Sequence, residues 1–114
     1  LERLADLNAQ ARTLFESGDT QQAALLVKEA QPLAQQLLAV SQPSLPAMEA
    51  VSDHDQIYAD LLLSNRHYGH ARQMYQRNVA RWKHWRPQTP ATRQRLADAE
   101  AAIARCDRAI RQQP

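Results

Sequence analysis

Of its 114 residues the chain spends one on cysteine (Cys106), two on glycine (Gly18 and Gly69) and one on phenylalanine (Phe15). A lone thiol excludes an internal disulfide and a cysteine-built zinc cage. With aromatics at 5% and few β-branched residues, a strand-built core lacks its usual material. No apolar run reaches about 18 residues, which excludes a membrane-spanning helix. A glycine-rich phosphate loop, a nucleophile elbow and carboxylates paired at catalytic spacing are missing too. The sequence therefore predicts no enzyme and no cofactor. What it has is alanine and leucine within a hydrophobic share of 44%, so helices must carry the fold. The expected class is all-α: an antiparallel bundle or short helical array of about five helices, forming one domain over 1–114.

Periodicity places the helices. Leu4, Leu7, Ala11 and Leu14 recur at steps of three and four, predicting a first helix from about Glu2 to Ser17. Gly18 then stands where a helix ends on a left-handed residue, and Asp19 or Thr20 is placed to cap the next helix. That second helix shows the stripe Ala23, Leu26, Val27, Ala30, Leu33 and Leu37, and Pro32 inside it predicts a kink or break. Together they make a hairpin over 2–40. The Ser41–Pro46 stretch, with two prolines, reads as a loop. A second hairpin follows over 44–85. Its first helix starts at either of two caps, Ser44 or Ser52, and ends near Ser64; its second spans Arg66 to Trp85. Arg86–Thr89 breaks the pattern. Thr89 then caps a terminal helix over 89–112, with Pro90 in its first turn. Leu96, Ala99, Ile103, Cys106 and Ile110 form a narrow apolar seam on it, suited to a bundle or to a homodimer.

The two hairpins look like copies of one unit about 48 residues apart. Sliding by that interval pairs Ala11 with Ala59, Leu14 with Leu62, Ala23 with Ala71 and Val27 with Tyr75. Small residues on either side of each turn let two helices approach. The arrangement of Ala11 with Gly18-x-Thr20-x-x-Ala23, and of Ala59 with Arg66-x-Tyr68-x-x-Ala71, resembles the tetratricopeptide repeat family. The family's first-helix aromatic is missing, Arg66 replaces its turn glycine, and the interval exceeds its period of about 34 residues. The resemblance implies non-catalytic protein binding. A second resemblance joins Ala104-Arg105-Cys106-Asp107-Arg108-Ala109-Ile110, and His67-Tyr68 entering a basic helix, to the replication-restart PriC family. It implies nucleic-acid binding, although this chain is less basic than that family.

Charge is unevenly spread. Residues 1–50 carry three basic against six acidic groups, residues 51–114 eleven against six, and Arg66–Arg95 holds eight basic groups and no acid. On a helix of about 100° per residue, Arg66, His70, Gln73, Arg77, Arg81 and His84 share a stripe about 80° wide. Tyr68, Ala71, Tyr75, Val79 and Trp82 lie nearly opposite. The expected partner-binding residues are thus Arg66, His70, Arg77, Arg81 and His84, with Trp85 as a candidate anchor at the bundle end. The alternative is an ordinary solvated face whose arginines lie over tryptophans. His67, His70 and the Asp53-His54-Asp55 run do not converge as a metal site requires, so no metal is expected. Cys106, on the apolar seam, reads as an inert core thiol.

The function expected from these observations is a protein–protein interaction module, an adaptor or assembly element. Nucleic-acid binding through the basic ridge and a structural homo-oligomer are the alternatives. The free thiol suits a reducing cytoplasmic compartment. A chain opening on Leu1 also admits a fragment or a product whose signal peptide has been removed.

Overall fold

The computed structural model describes residues 1–113. The single-domain expectation also took in Pro114, which lies outside the described residues. Five helices run α1 (Glu2–Glu16), α2 (Thr20–Leu38), α3 (Leu45–Ser64), α4 (Tyr68–His84) and α5 (Pro90–Arg111). There is no strand among the described residues. The fold is all-α. No described helix is long and apolar enough to cross a membrane.

The helix ends follow capping chemistry. Asp19 accepts the Gln22 amide at 3.1 Å, and Ser44 accepts that of Ala47 at 3.2 Å, which settles the start of α3. Thr89 and Thr92 satisfy each other's backbone in a capping box, with Pro90 at the first helical position. α2 runs through Pro32 without ending there. Proline lacks the amide that would bond the Lys28 carbonyl, but both residues are exposed, so that carbonyl is not sealed from solvent and the helix continues.

Two turns share one geometry 48 residues apart. After α1, the Leu14 carbonyl accepts from Asp19 at 2.9 Å and the Phe15 carbonyl from Gly18 at 3.1 Å. After α3, the Leu62 carbonyl accepts from His67 at 2.8 Å and the Leu63 carbonyl from Arg66 at 3.0 Å. Both are Schellman closures, which need a left-handed residue. Gly18 supplies it with φ 91° and Arg66 with φ 64°. Arg66 therefore terminates α3 rather than opening α4, which begins two residues later than periodicity alone predicted.

The chain divides into two compact units, Leu1–Leu61 and Leu62–Pro114, so the boundary falls inside α3 and within the hairpin expected over 44–85. The first unit carries three basic and nine acidic side chains, a net −6; the second carries eleven and three, a net +8. The charge imbalance thus sharpens at the structural boundary.

In the first unit, Leu4 and Leu7 of α1 pack with Ala30 and Ala34 of α2 and with Ala50 and Val51 of α3. Ala11, Ala23, Val27, Ile57 and Leu61 form a second cluster nearer the α1–α2 turn. Each fully buried leucine contributes about 1.5–3 kcal/mol, and the facing alanines let the helices close on it. Polar side chains fix the register of α3. The Asn8 amide donates to the Ala50 carbonyl at 2.9 Å, and Arg12 meets Asp60 at 2.9 Å. In the second unit α4 and α5 lie together. Tyr75, Trp82, Ala99, Ala102 and Cys106 are buried, and Arg72 spans to Asp107 at 2.7 Å.

Candidate docking face

The exposed side of α4 follows from its buried side. Ala71, Met74, Tyr75, Asn78 and Trp82 face inward, so positions three and four residues away from that stripe must face out. His70, Gln73, Arg77, Ala80 and His84 are all exposed. His70, Arg77 and His84 stand seven residues apart, about 10.5 Å per interval along the axis. Arg77 has no ion-pair partner among the described residues. Its guanidinium stands toward water.

The other expected residues are placed differently. Arg66 is exposed but sits in the left-handed turn, so the angular argument does not apply to it. Arg81 is half-buried and donates from Nη1 to the amide oxygen of buried Asn78. It anchors the inner side of the ridge rather than its crest. The imidazole of His84 is held by its Nδ1–H, which donates to the Ala80 carbonyl at 2.9 Å. Trp85 is half-buried and packs edge-on to Trp82, with ring centroids 6.0 Å apart. Arg95 lies over the Trp82 ring at 5.4 Å. That arginine belongs to α5 and not to the basic face of α4.

Beyond the helix end, Gln88 donates to the Trp82 and Trp85 carbonyls at 3.1 and 2.7 Å, and Arg86 donates to those of Lys83 and Trp85 at 3.0 and 2.8 Å. These bonds satisfy, from the loop itself, the Trp82 and Lys83 carbonyls at the end of α4 and that of its capping residue Trp85. Sequence reasoning missed Gln88 because its neighbours read only as a helix breaker.

The Asp53-His54-Asp55 run shows chemistry of another kind. His54 is buried; its Nε2 donates to the Val27 carbonyl at 3.1 Å, and its Nδ1 lies 3.0 Å from Asp55 Oδ1. The ring bridges α3 to α2 and presents no open coordination position. Among the described residues no cluster of three or more metal-ligating side chains occurs.

Cys106 is fully buried and its thiol donates to the Tyr68 carbonyl at 3.2 Å. Burial pushes its pKa up, and the neighbouring Asp107 carboxylate pushes it further. A thiol held protonated is a poor nucleophile. On the same seam Ala99 is buried, Leu96 and Ile103 are partly covered, and Ile110 is 38% exposed. Much of the seam proposed for a homodimer is thus consumed within the chain. The chain matches no known protein family, no curated protein and no solved structure.

Proposed function

We propose that this chain is a non-catalytic binding module that docks an acidic protein surface along the exposed face of α4. The observation that carries the reading is the exposed row His70, Arg77 and His84, standing on a unit of net +8. Seven-residue spacing matches the repeat of one face of an amphipathic helix, so the complementary partner is a helix bearing acids at that interval. The two equivalent turns and the buried alanines beside them support the tetratricopeptide-like reading and its protein-binding role. With Trp85 packed on Trp82, the face lacks a protruding aromatic anchor, and binding rests on charge. The free, buried thiol supports a cytoplasmic setting.

Titration of the full chain with a designed helix carrying glutamate at every seventh position tests this. Binding is expected to weaken steeply between about 0.05 and 0.5 M salt, as screening requires, and Arg77→Glu is expected to abolish it. Binding unchanged by Arg77→Glu rejects the face. The acid-free stretch Arg66–Arg95 favours a second reading, nucleic-acid binding of the PriC type. Under that reading duplex or single-stranded DNA binds more tightly than the acidic helix, with a log-linear salt slope reflecting several phosphate contacts.

A further inference from the structure

The outward face of α1 carries Glu2, Asp6, Ala9, Thr13 and Glu16, all exposed. They fall within about 80° of helix surface. Glu2, Asp6 and Glu16 have no ion-pair partner among the described residues. The Thr13 hydroxyl turns back to the Ala9 carbonyl at 3.1 Å, which keeps the middle of this face low. Ala9, Gln10, Thr13 and Leu14 line a shallow hollow there. The face is therefore acidic at both ends and recessed at its centre.

The face of α4 lies on the unit of opposite net charge and centres on Arg77. Its residues His70, Gln73, Arg77, Ala80 and His84 advance by steps of three, four, three and four. Those of α1, taken backwards from Glu16, advance by the same steps. Laid antiparallel, Glu16 meets His70, Thr13 meets Gln73, Ala9 meets Arg77, Asp6 meets Ala80 and Glu2 meets His84. Both rows span 14 residues, about 21 Å. Long Arg77 falls opposite small Ala9, over the hollow, within a turn of Asp6; small Ala80 gives Asp6 its space in return. The two rows stand on units of net −6 and +8, and their length and relief agree.

We propose that the face of α4 docks antiparallel on α1 of a second copy of this chain. The proposal rests on the reading of α4 as a protein-docking face and names the partner. A contact made by one helix face buries less than the roughly 1,000 Å² of a stable interface. The association is accordingly weak, on the order of 100 µM or weaker, and sensitive to salt.

The test is light scattering of the full chain from about 0.01 to 1 mM at about 20 mM and about 500 mM salt. Mass is expected to rise with concentration at low salt only. Two charge-reversed variants then separate this contact from general stickiness. One is Glu2→Lys with Asp6→Lys and Glu16→Lys; the other is Arg77→Glu with His84→Glu. Circular dichroism checks that each keeps its helices. Each alone is expected to stay monomeric, and their equimolar mixture to associate again, since each restores the face the other lacks. A wild-type chain monomeric throughout the low-salt range overturns the proposal, as does association that the mixture fails to recover. If the chain stays monomeric yet binds the glutamate-bearing helix, the second-copy inference falls and the docking face stands. If it binds neither, both fall.

Discussion

Replacing Arg66 by glycine is expected to stabilise the protein, although it deletes a large side chain. Arg66 holds φ 64° because the α3–α4 turn closes through its amide and that of His67. An L-residue in the left-handed region carries about 1–2 kcal/mol of strain that glycine does not. Glycine gives back about 0.4–1 kcal/mol through the extra freedom of its unfolded chain. The side chain is exposed and has no ion pair among the described residues, so its removal forfeits little. The balance is a gain of about 0.5–1 kcal/mol, or about 2–6 °C in Tm. Arg66→Ala keeps the strain while losing the charge and should leave stability near wild type; Arg66→Asn, which tolerates this region, should fall between. The converse change, Gly18→Ala, imposes φ 91° on alanine, and an added Cβ would meet nothing within 4 Å. It should therefore destabilise through the dihedral alone, by about 0.5–1 kcal/mol. Urea and thermal unfolding of the four variants measure the series. If glycine and alanine at position 66 shift stability alike, loss of the side chain governs the result and the dihedral argument is refuted.

Cys106, buried with its pKa raised by burial and by Asp107, is expected to resist thiol reagents in the native protein and to react fully once denatured; rapid labelling at neutral pH in the folded state would show the thiol accessible. Asp107 has its pKa lowered first by the hydrogen bond from Arg72 and then by the charges of Arg72 and Arg111. A carboxylate with a depressed folded-state pKa stabilises fully above its ordinary value, and that contribution disappears as pH falls through and below about 4. Asp107→Asn should therefore flatten part of the acid limb of a stability–pH profile and leave the slope near neutrality unchanged, whereas an unchanged acid limb would show the bridge to be idle.

Helix positions were legible because the apolar steps of three and four are dense, and the caps at Asp19 and Thr89 because few side chains do that work. Arg66 was harder. Nothing in an arginine signals positive φ, and only its alignment with Gly18 marks the position. His54 and Asp55 were also illegible in their real role, since a polar run on a helix reads as surface or ligand. They are core because the Val27 carbonyl and each other's atoms satisfy them, a long-range arrangement that no local pattern encodes. Arg81 fell on the correct angular stripe, yet a long side chain chooses its own destination, and Asn78 captured it. Angle fixes where a Cβ leaves the helix; it does not fix where a guanidinium arrives.

The interval of 48 also governs burial, and this explains where function has room to lie. Buried Ala23, Val27, Ala30 and Ala34 of α2 stand 48 residues before buried Ala71, Tyr75, Asn78 and Trp82 of α4. Leu4, Leu7 and Ala11 of α1 stand in the same relation to Ser52, Asp55 and Ala59 of α3. The sizes are inverted: α1 brings leucines and α2 alanines, whereas α3 brings small or polar groups and α4 a tyrosine and a tryptophan. Close packing limits total volume while leaving its division between helices open, so both sets satisfy the same geometry. Among these buried pairs only the alanines flanking each turn are identical, because there the backbones set the available space. Outward positions escape that constraint altogether. Glu29, paired with Arg3, stands where Arg77 stands one interval later, and Gln22 and Gln36 stand where His70 and His84 do. The packing that holds the α4 face in place therefore does not require its charge, and the reason for that charge lies with whatever the face meets.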